Sequence, residues 1–347
     1  MSDSFHVPSL DGMRAAAFVV VFLAHAGLER VVPGGFGVTV FFFLSGYLIT
    51  SLLRIEHEAH GTISLRQFYV RRALRILPPF YVVLALAVVA AAVGVIAGGF
   101  DRRAVAAQTF YFANYWSVRH GGNGQVAGTG VYWSLAVEEH FYLVFPWLYV
   151  VLRRLRPRTQ ALVLWSLCAA VLAWRCALVA SGASADRTYL ATDTRVDSIL
   201  FGCALAVWNN PMLDGPSRIP ETRWKRFLVP GAIGVLLASF AVREPHYRET
   251  VRYSLQGVAL YPIFVAAIRF PTWAPFRLLN TRAMAFAGVL SYALYLVHHV
   301  VIYGFRAALA GHAVVAAGLA FGASLGIAWT LHDLVEKPCA RLRRRLA

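Results

Sequence analysis

The chain has 347 residues, of which 59% are apolar and only 14% charged, and its mean hydropathy is +0.58. A soluble domain carries about 45–50% apolar and about 25% charged residues, so this composition excludes a water-soluble globule and indicates an integral membrane protein. A net charge of +16 is typical of nucleic-acid binding in a soluble protein. Here the basic residues lie in the short segments between apolar runs, so topology accounts for them and we expect no nucleic-acid partner.

Ten apolar runs follow one another along the chain, two of them short for the about 17–25 residues that a transmembrane helix needs. No soluble domain of ordinary size remains outside them. We therefore predict an all-α, polytopic membrane protein of about ten transmembrane helices, with a single membrane-embedded domain over residues 1–347 and no appended soluble domain. The runs cover residues 13–30, 34–53, 79–98, 131–152, 161–181, 195–209, 227–242, 251–268, 283–304 and 311–331.

The basic residues also predict the orientation of the chain. With the N-terminus inside, the inner segments 54–78, 153–158, 218–226 and 269–282 and the tail after residue 332 hold 21 Lys and Arg residues, against about 10 in the outer segments. Positive charge favours the cytoplasmic side. We therefore expect both termini in the cytoplasm and the protein in the cytoplasmic (inner) membrane of the cell.

The first span carries two ionisable residues, Arg14 and His25. Ionisable groups inside a membrane are costly and mark functional sites. Eleven residues at 100° each place both side chains on one helix face, about 16 Å apart along the axis. The structural alternative is a snorkelling arginine and a buried histidine that bonds to a neighbouring helix. Ala24-His25-Ala26 also imitates a signal-peptide cleavage site, but the acidic residues before the run favour a retained helix over a cleaved leader.

The fourth span opens with three adjacent ionisable residues, Glu138, Glu139 and His140. Ser134 and Glu138 are four residues apart and share a helix face, whereas Glu139 points elsewhere. A carboxylate at this depth must be protonated, paired or placed in a wet cavity. An intramembrane ion pair that only holds helices together is the alternative to a catalytic role.

Arg72 and Arg75 lie between the second and third spans, directly before Pro78-Pro79, which we expect to interrupt the helix. If the stretch is helical, residues three apart project together. Paired guanidinium groups at the cytoplasmic boundary suit a polyphosphate, because each can hold phosphate oxygens with two hydrogen bonds. The alternative is an interfacial helix that binds anionic lipid headgroups.

Two further polar clusters accompany later spans. The ninth span carries Tyr295 and His298, and we expect His298 to reach the same depth as the histidine of the first span. Charges before the sixth span, at the predicted outer boundary, could bind a substrate or simply neutralise one another. These are Asp193, Arg195 and Asp197.

Short segments spaced along nearly the whole chain carry a family resemblance. They are 10–14 with its Arg-x10-His spacing to residue 25, 42–49, 72–76, 133–138, 192–197, 291–298 and 336–338. In this order they resemble the acyltransferase-3 family, integral membrane enzymes that O-acylate sugars, cell-wall glycans, lipids and macrolides. Val297 stands where the family usually has Trp, and His299 replaces a frequent aromatic, so acceptor choice could differ here.

The resemblance implies an acyl-CoA donor, most often acetyl-CoA, bound from the cytoplasm, and a hydroxyl of a glycan, lipid-linked sugar or secondary metabolite as acceptor. His25 would act as base or transiently carry the acyl group, with Glu138 and Ser134 beside it. No metal is expected, since the four cysteines form no zinc pattern, and membrane lipids are the other partners. The expected donor-binding residues are Arg14, Arg72 and Arg75, and the expected acceptor-binding residues are Asp193, Arg195, Asp197, Tyr295 and His298.

A proton-coupled transporter or flippase of a glycan or small solute is the alternative function, because the same His, Glu and Arg residues could form a proton relay. A structural membrane subunit is a third. Transporters often contain broken helices in corresponding halves, and the sequence has no matching halves. These observations favour the enzyme.

Overall fold

The computed structural model of the chain describes residues 7–346, and the regular secondary structure in that range is all helical. Within it seventeen α-helices follow one another, joined in places by short π-helical and 3-10 turns. They are α1 (Pro8–Leu23), α2 (Gly34–His60), α3 (Leu65–Ala92), α4 (Arg102–Thr109), α5 (Ala113–His120), α6 (Trp133–Leu152), α7 (Pro157–Ala180), α8 (Ala185–Leu190), α9 (Thr192–Val207), α10 (Glu221–Arg223), α11 (Val229–Ala241), α12 (Pro245–Glu249), α13 (Val251–Arg269), α14 (Ala274–Arg277), α15 (Arg282–Ala308), α16 (Ala313–Leu331) and α17 (Lys337–Leu346).

Nine helical stretches of the described chain are long and apolar enough to cross a membrane. The prediction of an all-α, polytopic membrane protein is therefore confirmed. The remaining predicted span, 195–209, corresponds to α9, which has 16 residues. At 1.5 Å per residue such a helix covers about 24 Å, less than the about 30 Å of a bilayer core.

Helix α3 passes through Pro78 and Pro79 without a break, so the prediction that these prolines interrupt the helix is wrong. Each proline removes one helix hydrogen bond, but membrane helices tolerate proline in their interior. In the same stretch the Tyr292 hydroxyl donates to the Ile76 carbonyl oxygen at 2.8 Å. The third span therefore begins at Leu65, and the arginine pair lies within it rather than before it.

The chain divides into two compact units, and the first comprises the residues to Ala17, Gly35–Ile63 and His140–Gly288. Its centre is α9, which is buried along most of its length and packs against α7 and α13. A glycine brings α2 against α9: a Cβ on Gly46 would lie 1.9 Å from the Ile199 carbonyl oxygen. Small residues allow such close backbone approach between membrane helices, and no larger residue fits at this position.

The second unit comprises Phe18–Gly34, Ser64–Glu139 and Val289–Ala347. In this unit α17 packs against α3, and α16 packs against a π-helical turn, Ala24–Leu28, that follows α1. The unit therefore contains the histidine of the first span, the start of α6 with Ser134, and most of α15.

Candidate active site

His25 lies in the π-helical turn Ala24–Leu28 at the end of the first span. The turn contains Gly27, whose φ of 110° is a left-handed conformation that glycine adopts readily. The first span is therefore kinked at this glycine, two residues after His25. A glycine two residues after the histidine is the one sign of this turn in the sequence.

A hydrogen bond joins His25 to His298. Nδ1 of His25 lies 3.0 Å from Nε2 of His298, which confirms that the two histidines reach the same depth. His298 is fully buried, and its Nδ1 lies 2.8 Å from the carbonyl oxygen of Tyr295. A carbonyl oxygen only accepts, so Nδ1 of a neutral His298 carries the proton and Nε2 accepts. Nδ1 of His25 is then the donor, which leaves the lone pair of a neutral His25 on Nε2.

A third histidine, His299, stacks on His25 with ring centroids 4.3 Å apart and 28° between the ring planes. Its Nδ1 lies 3.2 Å from the carbonyl oxygen of Gly128. Gly128 has a φ of +82°, and a Cβ there would lie 2.5 Å from the Cα of Val300, so a glycine is required where this loop meets α15. The sequence identified His299 as a departure from the family pattern and missed its contact with His25. Although three histidines meet here, the described residues contain no group of side chains able to hold a metal ion.

Aromatic rings and one cation surround the histidines. Phe18 meets the His298 ring nearly perpendicularly, with centroids 5.6 Å apart, and Phe22 lies 6.4 Å from it. Arg306 reaches the π-turn: a Cβ on Gly27 would lie 3.0 Å from an Arg306 guanidinium nitrogen. Arg306 was not predicted as a site residue, because in the sequence it follows the apolar run of the ninth span.

Ser134 and Tyr295 form a hydroxyl pair in the same unit. Ser134 Oγ lies 2.7 Å from the Tyr295 hydroxyl, and each also contacts the Val131 carbonyl oxygen, at 3.2 and 3.1 Å. Both side chains are buried. Because His298 bonds to the backbone carbonyl of Tyr295, one continuous chain of contacts runs from Ser134 through Tyr295 and His298 to His25. Four residues predicted for the site are thus adjacent.

Glu138 and Glu139 follow Ser134 on the same continuous helix, α6, and both are partly buried. In a regular helix Glu138 lies one turn from Ser134 on its face, and Glu139 is rotated by about 100°. His140, the next residue, belongs to the first unit, where its Nδ1 lies 2.7 Å from the Thr192 hydroxyl. Of the three adjacent ionisable residues, His140 is thus the one that contacts the start of α9.

Arg72 and Arg75 project from α3 in the second unit. The Arg72 guanidinium lies 5.8 Å from the centre of the Phe68 ring, and Arg75 is exposed. Helix α17, which packs against α3, places Arg343 close enough to Arg75 and Arg71 for mutual repulsion. The sequence did not link this C-terminal arginine to the pair, because nothing local indicates that α17 folds back onto α3.

Arg14 pairs with Asp11 on α1, in the first unit. One Arg14 guanidinium nitrogen lies 2.8 Å from an Asp11 carboxylate oxygen. The two residues are three apart, the spacing at which opposite charges stabilise a helix by about 0.2–0.5 kcal/mol. This contact favours the helix-holding alternative for Arg14.

Asp197 is fully buried in the first unit and is saturated with hydrogen bonds. It accepts from Arg175 at 2.8 Å and from Ser254 at 3.0 Å, and from the backbone N–H of Ser198 at 2.9 Å. Arg175, also fully buried, donates further to the carbonyl oxygens of Thr194 and Thr250 in the same unit. Removing one partner of a buried ion pair leaves the other charge uncompensated and destabilises the fold by about 3–5 kcal/mol. These contacts favour a structural role for Asp197.

Arg195 and Asp193 also lie in the first unit. Arg195 is fully buried beneath the Tyr253 ring, 4.1 Å from its centre, and donates to Thr39 at 3.2 Å. Asp193 pairs with Arg187 and accepts from the Trp174 indole at 2.7 Å. Burial opposes ionisation of Asp193, but the bonds from Arg187 and Trp174 hold the pKa of this carboxyl below its usual range. Both carboxylates of the cluster are thus paired, as the neutralisation alternative expects.

The predicted residues therefore separate by unit. The second unit holds the histidine chain and the α3 arginines, and the first unit holds Arg14 and the cluster in the first two turns of α9. Contacts within the second unit join His25, through His298 and Tyr295, to the hydroxyl group of Ser134. Helix α3 of the same unit carries a separate group of cations. The first unit therefore contains one residue predicted to bind the donor, Arg14, and three predicted to bind the acceptor, Asp193, Arg195 and Asp197.

Comparison with known proteins supplies a family and several relatives. A family model described as an acyltransferase domain, acyltransferase-3, matches residues 7–333. The peptidoglycan O-acetyltransferase OatA of Listeria monocytogenes is 31% identical over 310 residues, which cover 86% of this chain and 49% of that protein. YrhL of Bacillus subtilis, provisionally named for the same activity, is 33% identical over 319 residues, with the same two coverages.

A third relative is a Staphylococcus aureus protein, SACOL0978, provisionally named an O-acetyltransferase. It is 29% identical over 309 residues, which cover 86% of this chain and 51% of that protein. The chain thus spans about half the length of the curated relatives it matches. No solved structure matches the chain significantly.

Proposed function

Because this chain belongs to the acyltransferase-3 family, we propose that it is a membrane O-acetyltransferase, which moves an acetyl group from acetyl-CoA to a hydroxyl of a glycan. The relatives are named for O-acetyl transfer, two of them to peptidoglycan. A cell-wall sugar hydroxyl is therefore the acceptor that we favour over a lipid or a secondary metabolite. The enzyme would lie in the cytoplasmic membrane, with its donor on the inner side.

The observation that carries this proposal is the hydrogen bond between His25 and His298. A general base needs an unprotonated nitrogen that is fixed in direction. The tautomers required by the Tyr295 carbonyl place the lone pair of His25 on Nε2, the nitrogen that faces away from His298. Stacking on His299 restricts rotation of the same ring. His25 is partly exposed whereas His298 is fully buried, so His25 is the member of the pair that can meet a substrate.

In the proposed step, Nε2 of His25 takes the proton of the acceptor hydroxyl as its oxygen attacks the thioester carbonyl. A C–O bond forms, the C–S bond breaks, and the electron pair of that bond leaves on the CoA sulfur. The proton on His25 then passes to this thiolate, so that the products are the O-acetyl ester and CoA with a free thiol. The alternative in which Nε2 itself carries the acetyl group uses the same lone pair, and trapping of an acetylated enzyme in the absence of acceptor separates the two.

Developing negative charge on the thioester oxygen needs nearby donors or cations. Arg306 is close to the π-turn and would supply positive charge there. The Ser134–Tyr295 hydroxyl pair would orient the acceptor or His298, and Glu138 would orient an acceptor hydroxyl from the same face of α6. His298 has both ring nitrogens engaged by protein atoms, so we assign it to positioning His25 rather than to direct acceptor contact.

The nucleotide end of acetyl-CoA carries several negative charges, which cannot enter hydrocarbon. Arg72 and Arg75 on α3 would hold these phosphates, and Arg343 of α17 adds a third guanidinium to the group. Like charges held together in this way repel one another, and a bound polyanion removes that repulsion. The flexible pantetheine arm would then extend from α3 toward His25. Helix α3 and His25 both lie in the second unit.

The test is acetyl transfer by the purified chain in detergent. Labelled acetyl-CoA is supplied with soluble peptidoglycan fragments, and both the CoA thiol and the acetylated sugar are measured. We expect both products in equal amounts, and neither with His25→Ala. If solute crosses liposomes that contain the protein while no acetyl group moves, the transporter function replaces this proposal.

A further inference from the structure

A basic cavity of about 1010 Å³ opens in the first unit, and none of its lining residues is assigned to acetyl transfer. Its wall is formed by the turn before α7, the segment after α9, and the C-terminal half of α13. Trp224 closes one side. The lining includes Arg156, Arg158, Trp208, Arg218, Tyr261 and Arg269.

Positive charge in the cavity is not balanced by its own acids. Four arginines line it, and none of the four forms an ion pair within the part of the chain that the structure describes. The lining also contains Asp214, but its carboxylate pairs with Arg54 at 2.5 Å and accepts from the Asn210 backbone. An anion is therefore the complementary occupant.

Backbone donors add to this preference. Helix α7 is 24 residues long and begins at the cavity with Pro157, after an Arg156 N-cap whose side chain makes no capping bond. The N–H groups of the first turn have no partner inside a helix and carry the positive end of its dipole. Two residues of this first turn, Arg158 and Thr159, belong to the cavity lining. Phosphate groups bind such termini.

Arg269 of α13 also lines the cavity. One of its guanidinium nitrogens donates to the carbonyl oxygen of Gly215, another lining residue, at 2.8 Å. This bond holds the guanidinium group in place beside the segment that follows α9.

The cavity also has exposed aromatic surface. Trp208 is 37% exposed, and the Arg158 guanidinium lies 5.8 Å from its ring. Tyr261 lies beside it and donates to the Trp208 carbonyl oxygen at 3.2 Å. Such a wall suits the planar or apolar part of a ligand whose charged end meets the arginines.

We propose that this cavity binds a negatively charged phosphate ester with an aromatic or apolar body. The shared chemistry is met by a soluble nucleotide and by the headgroup of an anionic lipid. The segments that line the cavity belong to those for which charge predicts a cytoplasmic location, where both ligands are available. This binding does not depend on acetyl transfer.

The test uses the full chain in neutral detergent and compares two ligands. ADP binding is measured by calorimetric titration, and retention of phosphatidylglycerol against phosphatidylcholine is measured by native mass spectrometry. The variant is R158Q/R218Q, which removes two exposed cavity charges. The matched control is R154Q, an exposed arginine of the same turn that does not line the cavity.

We expect R158Q/R218Q to lose about tenfold or more in affinity for one of the ligands, while R154Q keeps it. Loss for ADP alone identifies a nucleotide site, and loss for phosphatidylglycerol alone identifies a lipid site. Equal binding of both ligands by wild type and R158Q/R218Q overturns the proposal, as does the absence of binding to wild type. ADP affinity that falls in R72Q/R75Q and not in R158Q/R218Q belongs to the donor site and also overturns it.

Discussion

Nδ1 of His25 and Nε2 of His298 lie 3.0 Å apart, although 273 positions separate the two residues in the chain. The carbonyl oxygen of Tyr295 accepts from the other nitrogen of His298 and thereby sets the proton positions of both rings. The buried imidazole acts on its neighbour as a fixed acceptor. In the proposed mechanism the two rings therefore have different roles. His25 meets the substrate, and His298 holds His25 in position.

Replacing His25 with Ala should reduce acetyl transfer by at least about 10²–10⁴-fold, because a positioned base contributes that much. The variant should remain extractable and folded, since the side chain is partly exposed. Transfer is measured with labelled acetyl-CoA, and His60→Ala, at the exposed end of α2, is the control. Near-normal activity in His25→Ala would remove the histidine base from the mechanism.

Replacing His298 with Phe should lower kcat by about tenfold or more and leave KM for acetyl-CoA unchanged, because Nδ1 of His25 loses its acceptor. His298→Gln should recover part of the rate, since its amide oxygen can accept the same bond. Steady-state kinetics with varied donor and varied acceptor make the comparison. A raised KM for the acceptor at unchanged kcat would return His298 to the acceptor-binding role that the sequence suggested.

Glu138→Gln should be severe and Glu139→Gln milder. The two carboxyl groups differ by about 100° of rotation on α6, and Glu138 is the one that shares the Ser134 face. Transfer rates of the two purified variants, each with its melting temperature, give the answer. The reverse order would mean that the active face of α6 is the one that carries Glu139.

Arg72→Ala and Arg75→Ala should each weaken acetyl-CoA binding about 10–150-fold, because a guanidinium–phosphate bond contributes about 1.5–3 kcal/mol. Lysine at either position should recover only part of the affinity, since it keeps the charge and loses the two-pronged geometry. Donor titrations compare these variants with Arg66→Ala, an exposed residue in the first turn of the same helix. Unchanged donor affinity with reduced membrane yield would favour lipid headgroups as the partners of this pair.

Asp193→Asn should make stability less dependent on pH. The pKa of Asp193 is lowered, so its pairing with Arg187 stabilises the fold fully above the unfolded pKa of about 3.9. That contribution is lost as the pH falls through the lower, folded value. The melting temperature of the variant should therefore lie below that of wild type at pH 7 and approach it in acid. A changed acceptor KM with an unchanged melting temperature would instead favour acceptor binding.

The sequence determined the class of protein, most of the spans and the family. Apolar length and sparse charge are local properties, so the runs can be counted without knowing what packs on what. Spacing within one helix is equally local, and Ser134 and Glu138 are related in this way. The cytoplasmic location of both termini rests on the same kind of reasoning and stays a prediction.

The tertiary structure decided which polar residues meet. The bond between His25 and His298 and the stacking of His299 depend on the packing of the first span beside α15, and helical periodicity contains no information on partners between helices. The same is true of Asp197, whose place in the sequence suggests a substrate ligand and whose buried partner Arg175 lies on another helix.

Local rules also failed where tertiary contacts override them. Two prolines in sequence predict a helix end, but α3 continues through both of them, as helices in membrane proteins can. The approach of Arg343 to Arg75 likewise depends on the packing of segments distant in sequence. A sequence fixes the preferences of each segment over about one helical turn, whereas the energy of a site comes from contacts between segments, and those exist only once the chain has folded.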